Sequence, residues 1–335
     1  MFGWPFPPIC GTVENRYHAR KKVCSMPELL EFRYSSARAG HTIYAQELRP
    51  DAPPRAVIQI VHGVAEHMGR YEEVSRFLAA HGFLVCGEDH LGHGKTVEDG
   101  SYGFFAPKGG WDLVVRDVRR LRELEGEKYP SLPYFLLGHS MGSFLARTYL
   151  IQYPGTLDGV ILSGTGQEPA PLVALGRALA SLECRRLGSQ GVSPLVDALS
   201  LGSYNRRFRP NRTGADWISS DPAAVDAYLA DPLCRPKPTV SMFRDMMGGL
   251  QFIAKAGNLR NMRADTPVLF LSGEQDPVGG MGRGVRKVRQ MFLDAGCTDV
   301  TLKLYPGGRH EMFHEVSQRE VFEDLLAWLE DKLPS

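Results

Sequence analysis

The sequence lacks a large excess of charge and any closely spaced cysteine pair. Its 39 lysines and arginines nearly balance 38 aspartates and glutamates, which gives a formal net charge of +1. A charge this close to neutral gives no electrostatic reason to expect a nucleic acid as partner. The six cysteines are widely spread, without a C-x-x-C pair. Their spacing argues against a zinc site or a disulfide framework and favours free thiols in a reducing compartment.

The sequence also lacks long apolar runs and internal repeats. No apolar stretch approaches the ~20 residues that a membrane helix needs. Residues 1–10 are apolar, but they are broken by prolines and follow no basic segment, so they do not resemble a signal peptide. We therefore expect a soluble, cytoplasmic protein. The length of 335 residues suits one large domain with an insertion, or two domains.

Short apolar runs alternate with amphipathic segments along most of the chain. Strands are predicted at residues 29–34, 41–48, 56–61, 83–86, 133–137, 159–162, 267–271 and 300–304. Helices are predicted at residues 71–81, 111–124, 143–153, 285–295 and 319–333. This order predicts an α/β protein, with a mostly parallel eight-stranded sheet covered by helices on both faces.

Residues 167–247 interrupt the alternation, because they contain helix-like pieces and no convincing strand. A connection of this length is too long for an idle loop. We interpret it as a helical cap over the active site. The core then comprises residues 28–166 and 248–335, and residues 1–27 form an irregular segment that lies across the surface.

A G-x-S-x-G pentapeptide, Gly138-His139-Ser140-Met141-Gly142, lies between a predicted strand and a predicted helix. A sharp turn from strand to helix holds the serine on a strained, exposed corner. Glycines are needed on both sides because side chains there would clash across the turn. In a chain with 36 glycines the pentapeptide alone is weak evidence, and a glycine-rich surface turn also explains it. Its position predicts that Ser140 is a nucleophile.

A nucleophilic serine needs a base, and the base needs an orienting acid. In a parallel sheet both should come from loops at the carboxyl ends of later strands. The loop after the seventh predicted strand offers Asp276, with Glu274 as the alternative acid. The loop after the eighth offers His310, with His314 as the alternative base. The order of Ser140, aspartate and histidine is that of α/β-hydrolases and not of other serine-hydrolase folds.

Ester cleavage places negative charge on the former carbonyl oxygen, and two backbone N–H groups should face it. One is expected from Met141, directly after the serine. The other should come from the loop after the third strand, which reads His62-Gly63-Val64-Ala65-Glu66-His67. We assign the N–H of Val64, with that of Ala65 as the alternative; an ordinary turn also explains this loop.

Several ordered motifs extend this pattern. Residues 62–71 read H-G-x-x-E-H-x-x-R-Y, and residues 89–96 read D-x-x-G-H-G-x-T, where a serine is usual at the last position. Together with G-H-S-M-G and Arg309-His310-Glu311, they resemble the motifs of monoacylglycerol lipases and lysophospholipase-like hydrolases of the serine aminopeptidase type. Residues 216–221 and 231–234 resemble the cap of that family. The resemblance covers residues 32–333.

The resemblance implies an α/β-hydrolase fold and serine hydrolysis of a small-molecule acyl ester, either monoacylglycerol or lysophospholipid. It implies neither a cofactor nor a metal. It also implies that Asp89, His90 and His93 have structural rather than catalytic roles.

The predicted cap permits two interpretations. Its apolar residues either bind an acyl chain by burial or simply pack on the core: Leu172, Val173, Leu175, Leu179 and Leu182. Its many arginines either contact anionic head groups and a membrane surface or keep the protein soluble. The sequence does not indicate an oligomeric state.

Two other functions stay open. A proline-iminopeptidase-like enzyme would need an acidic pocket for a free amine, for which Glu66 is the candidate. A non-catalytic binding protein on the same fold is the third interpretation, although a binder has no need of a complete triad.

Overall fold

The computed structural model describes residues 28–334, and eight strands in this range form one sheet. The strands are β1 Glu28–Ser35, β2 Thr42–Arg49, β3 Ala56–Val61, β4 Phe83–Glu88, β5 Tyr134–His139, β6 Gly159–Ser163, β7 Val268–Gly273 and β8 Val300–Tyr305. Their order in the sheet is β1-β2-β4-β3-β5-β6-β7-β8. Strand β2 is antiparallel to both neighbours, and the other pairs are parallel. The predicted mostly parallel eight-stranded sheet is confirmed. The expectation for residues 1–27 lies outside the described residues.

The helices follow the strands in the predicted alternation. They are α1 Glu72–Ala80, α2 Gly110–Lys128, α3 Met141–Gln152, α4 Ala170–Leu187, α5 Pro194–Leu199, α6 Leu201–Tyr204, α7 Pro222–Ala230, α8 Val240–Ile253, α9 Ala256–Leu259, α10 Arg283–Asp294 and α11 Gln318–Lys332. Short 3-10 turns occupy Met68–Tyr71, Gly94–Thr96, Asn205–Phe208 and Met312–His314. No helix within residues 28–334 combines the length and apolarity needed to cross a bilayer.

Strand β3 illustrates why the buried strands read as continuous apolar runs. Val57 and Val61 belong to the apolar cluster that includes residues of α2, α3 and α10. Ile58 and Ile60 belong to the opposite cluster, with residues of α1 and α11. Successive side chains of a strand point to opposite faces, so a strand of a sheet that is covered on both sides is buried at every position and mostly apolar.

The insertion between β6 and β7 contains helices α4 to α9 and no strand. Helix α8 packs against α4 of the insertion and against α3 of the core. Because α8 spans Val240–Ile253, it crosses the boundary that we predicted at residue 247. The insertion is therefore joined to the core by a continuous helix, directly beside the helix that follows Ser140.

Candidate active site

Ser140 occupies a strained corner between β5 and α3. Its backbone angles are φ 52° and ψ −120°, a conformation that L-residues rarely adopt. Its N–H donates to the carbonyl of Ser163 on the neighbouring strand at 2.9 Å. A Cβ atom on Gly142 would overlap the carbonyl of Val61, and one on Gly138 would overlap the backbone of Gly142. Both glycines of the pentapeptide are therefore required by close backbone approach.

Asp276 and His310 lie together at the carboxyl ends of β7 and β8. The Nδ1 of His310 is 3.0 Å from Oδ1 of Asp276, and both side chains are buried. Burial lowers the pKa of His310, but the charge and hydrogen bond of Asp276 outweigh it, so the net shift is upward. The Nε2 of His310 has no hydrogen-bond partner among the described residues. Ser140 and His310 line the same small cavity.

The alternative acid and base lie elsewhere. Glu274 is exposed to solvent, whereas Asp276 is fully buried against His310. The Nε2 of His314 is 2.8 Å from the backbone carbonyl of Arg70, so it is occupied by a structural hydrogen bond. The structure thus brings Asp276 and His310 together and separates the two alternatives from that pair.

The loop after β3 passes directly beside Ser140. A Cβ atom on Gly63 would lie 3.0 Å from Cβ of Ser140. Val64 lines both cavities at this site, whereas Ala65 lines neither of them. Met141 begins α3, and the first N–H groups of a helix have no carbonyl partner within it. The arrangement suits the predicted pair of oxyanion donors, the N–H groups of Val64 and Met141.

Asp89 and His90, which were predicted to have structural roles, contact the loop after β3. Asp89 accepts hydrogen bonds from the N–H of Met68 at 2.8 Å and from the N–H of Lys95 at 2.7 Å. The ring of His90 stacks on His62 with centroids 4.0 Å apart. These buried contacts connect the loop after β3 to the loop after β4. Asp89, His90 and His93 line neither cavity at Ser140.

The cap segment around Trp217 contacts the loop that carries His310. The Trp217 ring lies 5.0 Å from the ring of His310, and the N–H of Glu311 donates to the carbonyl of Ile218 at 2.7 Å. The side chain of Arg309 donates to the carbonyls of Asp216 and Ser219. We did not predict that Trp217 contacts the histidine. A signal was present, because this segment is one of the family-like motifs of the insertion.

A buried ion pair also connects the loop that carries His310 to the core. Arg70 makes two hydrogen bonds of 2.7 Å to the carboxylate of Glu311 and one of 3.1 Å to Glu66. Burial would raise the pKa of Glu311, but Arg70 reverses this effect and holds the pKa below its usual range. The carboxylate of Glu66 also accepts from the N–H of Gly63 and the hydroxyl of Tyr71. Glu66 therefore organises the loop after β3 and is fully engaged.

Two cavities of different character meet at Ser140. The larger has a volume of about 360 Å³ and extends into the cap. Its walls are mostly apolar side chains of α3, α4 and α8, including Phe144, Leu172, Leu179, Met246 and Leu250. The smaller has a volume of about 30 Å³ and is lined by polar and aromatic groups, including Glu66, Trp217, Tyr228 and His310. Of the predicted apolar face of α4, Leu172, Val173, Leu175 and Leu179 line the large cavity, whereas Leu182 does not.

Comparison with known proteins places this chain in a family. The family model for "Serine aminopeptidase, S33" matches residues 52–317, which include every residue of the site described above. The chain belongs to this serine aminopeptidase family. A serine nucleophile is general to the family.

Proteins similar to this chain include lipases. A monoacylglycerol lipase of Mycolicibacterium smegmatis is 32% identical over 286 residues, which cover 84% of this chain and 90% of that protein. The monoglyceride lipase of Homo sapiens is 28% identical over 296 residues, which cover 88% of each chain. Among solved structures, a thermostable carboxyl esterase from Bacillus coagulans in complex with glycerol aligns with a TM-score of 0.85. It is 31% identical and covers 91% of this chain and 99% of its own. The predicted α/β-hydrolase fold is confirmed.

Proposed function

We propose that this protein is a carboxylic ester hydrolase that cleaves monoacylglycerols through an acyl-enzyme intermediate. Ser140 is the nucleophile, His310 the general base, and Asp276 the acid that orients His310. The N–H groups of Val64 and Met141 stabilise the oxyanion. The observation that carries the proposal is the position of Ser140 at the junction of a large apolar cavity and a small polar one.

The large cavity suits a single acyl chain. Its lining comes mainly from leucine, methionine, phenylalanine and valine side chains, which bind by burial of apolar surface. Each buried methylene contributes about 0.8 kcal/mol. A second acyl chain would have to enter the small polar cavity, which has room for little more than a few water-sized groups. The two volumes therefore support a monoacylated substrate with a small alcohol as leaving group.

The small cavity supports glycerol over a phosphate-containing head group. Glu66 and Glu311 line it and no lysine or arginine of the described residues does, and their shared pairing with the single Arg70 leaves one net negative charge, which opposes a phosphate. The hydroxyls of glycerol are neutral hydrogen-bonding groups that such a wall accepts. Lysophospholipid therefore ranks below monoacylglycerol in this proposal.

The reaction follows from the arrangement of the three side chains. His310 removes the proton from Ser140 as Oγ attacks the ester carbon, and the resulting oxyanion lies between the two N–H donors. Protonated His310 then gives its proton to the leaving glycerol oxygen, and Ser140 keeps the acyl group. Water, deprotonated by the same histidine, attacks the acyl-serine and releases the fatty acid. Asp276 stabilises the imidazolium that forms in each half-reaction.

The engagement of Glu66 argues against an aminopeptidase with a free-amine pocket. Its carboxylate already accepts from Gly63, Tyr71 and Arg70, so binding a substrate ammonium would require breaking these contacts. A binding protein would not need a strained serine beside an aspartate–histidine pair. Both alternatives are distinguished by the assay below.

The proposal is tested by release of free fatty acid or amine from a matched panel. The panel contains long-chain and short-chain monoacylglycerols, the corresponding diacylglycerol, a lysophosphatidylcholine and an aminoacyl amide. We expect the highest kcat/KM for a long-chain monoacylglycerol. Turnover of the amide alone would contradict the proposal in favour of a peptidase, and no turnover of any substrate by folded protein would favour a binding role.

Narrowing the large cavity should shorten the preferred acyl chain. Leu179 of α4 lines this cavity, and we expect Leu179→Trp to lower kcat/KM for long-chain monoacylglycerols. Each methylene excluded from the cavity loses about 0.8 kcal/mol, or roughly fourfold in kcat/KM. Butanoylglycerol should react at a nearly unchanged rate, since its chain stays close to Ser140.

Leu182→Trp is the matched control, because Leu182 lies one turn further along α4 with its side chain exposed to solvent. We expect this variant to keep the chain-length profile of the wild type. If Leu179→Trp and Leu182→Trp changed the chain-length profile equally, the assignment of the cavity to the acyl chain would be contradicted.

We further propose that the cap contacts lipid surfaces. Large apolar side chains on α4 and α5 are exposed, and three of them also line the large cavity: Leu172, Leu175 and Leu199. An exposed apolar patch at the mouth of an acyl-binding cavity is typical of a lipid-contacting surface. Leu182 is another exposed residue of α4, and it does not line the cavity. Leu182→Glu should weaken cosedimentation with phosphatidylcholine vesicles, whereas Leu29→Glu, at an exposed position on β1, should not. Identical vesicle binding by both variants would contradict this contact.

A further inference from the structure

Three potential metal ligands from distant parts of the sequence meet between the core and the cap. His67 comes from the loop after β3, whereas Asp231 and Cys234 follow α7 in the insertion. The Nε2 of His67 is 2.9 Å from Oδ2 of Asp231, and the three ligand atoms all lie within 4.8 Å of one another. Sequence spacing gave no hint of this cluster, because 164 positions separate His67 from Asp231.

The cluster has the donor set that zinc prefers. Imidazole nitrogen, carboxylate oxygen and thiolate sulfur are its usual ligands, at about 2.0–2.3 Å from the ion. At a tetrahedral angle these bond lengths place ligand atoms about 3.5 Å apart. The three atoms here need only small side-chain shifts to reach that spacing. Three protein ligands leave the fourth position to water.

Asp231 is already oriented by a hydrogen bond, and the thiol of Cys234 is free to bind an ion. The second oxygen of Asp231 accepts a hydrogen bond from the N–H of Leu233 at 2.8 Å, which orients the carboxylate. Cys234 is a buried free cysteine whose thiol has no hydrogen-bond partner among the described residues. His67 and Asp231 are partly exposed, so an ion can reach the cluster from solvent.

The charges around the cluster are compatible with a divalent cation. Cys234 is buried, and the carboxylates of Asp231, Glu66 and Glu311 add negative charge around it. The positive charge of Arg70 is already balanced by its two buried carboxylate partners. An aspartate and a thiolate would in turn neutralise a divalent ion, and ion binding would displace the thiol proton.

We propose that His67, Asp231 and Cys234 form a binding site for a thiophilic divalent cation such as Zn²⁺, which fastens the cap to the core. His67 lies three residues after Val64, on the loop that runs beside Ser140. An ion bound there ties this loop to the segment after α7. Occupancy therefore restrains the cap over the cavity and lowers the rate of ester turnover. The effect on turnover rests on the proposed function, but ion binding does not.

Binding is measured on the full-length protein after removal of metal with a chelator. Co²⁺ is titrated first, because a thiolate ligand gives a charge-transfer absorption band, and Zn²⁺ is then added to displace it. We expect one ion per chain. Cys234→Ser should weaken binding tenfold or more and abolish the band, and Asp231→Asn, which keeps the shape of the side chain, should weaken binding as well. Cys184→Ser is the matched control, since Cys184 is a more exposed free cysteine away from the cluster.

The site is supported if the wild type and Cys184→Ser bind one ion with equal affinity while Cys234→Ser and Asp231→Asn bind it more weakly, Cys234→Ser by tenfold or more. It is overturned if the wild type binds no stoichiometric ion, or if Cys234→Ser gives the same band as the wild type. Turnover of a monoacylglycerol is then measured with and without Zn²⁺. A several-fold decrease in the wild type that is absent in Cys234→Ser supports the restraint on the cap, and unchanged turnover at full occupancy overturns it. A metal-free wild type that hydrolyses no ester contradicts the proposed function and leaves the binding result intact.

Discussion

Ser140→Ala is expected to lower kcat/KM for a long-chain monoacylglycerol by about 10⁴- to 10⁶-fold. The substitution removes the only atom that forms the acyl bond, and it leaves the Val64 and Met141 N–H groups in place. Residual activity would come from these donors and from substrate binding. The fold should persist, because alanine at φ 52° is no more strained than serine. The measurement is fatty acid release under single-turnover and steady-state conditions.

Ser143→Ala controls for damage to the corner itself. The Ser143 hydroxyl is buried and donates to the carbonyl of Ser140 at 2.6 Å, so it belongs to the same turn without facing the substrate. We expect activity within about tenfold of the wild type for this variant. If Ser140→Ala retained more than a few per cent of activity with an unchanged melting temperature, Ser140 would not be the nucleophile.

Asp276→Asn is expected to lower kcat by about 10⁴-fold, because asparagine favours the wrong tautomer of His310 and does not stabilise its cation. Glu274→Gln, two residues away on the same loop, should keep nearly full activity because Glu274 is exposed. Comparable losses in the two variants would contradict the assignment of Asp276. Circular dichroism of both variants checks that the buried substitution leaves the sheet intact.

The pH profile of the residual activity tests the same pair independently. His310 must be neutral to accept the serine proton, so activity falls as the pH drops below its pKa. In the wild type Asp276 raises that pKa above the usual value for histidine. In Asp276→Asn the carboxylate that raises the pKa of His310 is gone, whereas burial still lowers this pKa. The acidic limb of the pH profile should therefore move to lower pH. A limb that stays in place would show that Asp276 does not set the protonation of His310.

Most of the sheet was predictable because local patterns decide it. The run at β3 is buried at every position and apolar at all but Gln59, since both faces are covered, and the glycines beside Ser140 are needed for close backbone approach. Asp276 and His310 were predictable as a pair because the carboxyl ends of parallel strands meet at one edge. Each of these features depends on a few neighbouring residues or on sheet topology alone.

The contacts between the cap and the core were not predictable from the same patterns. The ring of Trp217 contacts His310, and the carbonyl of Ile218 accepts from the N–H of Glu311, and each contact joins residues 93 positions apart. No local periodicity encodes which surface of the core a helical insertion covers. The division of the site into a large apolar cavity and a small polar one depends on this placement. So does the encounter of His67 with Asp231 and Cys234.

The proposal that Ser140 is the acyl-accepting nucleophile of a lipid ester hydrolase is tested most directly by a long-chain alkyl fluorophosphonate. The labelled protein is digested, and the modified residue is located by mass spectrometry, with and without excess monoacylglycerol. We predict a single adduct on Ser140, formed more slowly when monoacylglycerol is present. An adduct on another residue, or no adduct on correctly folded protein, would contradict the account.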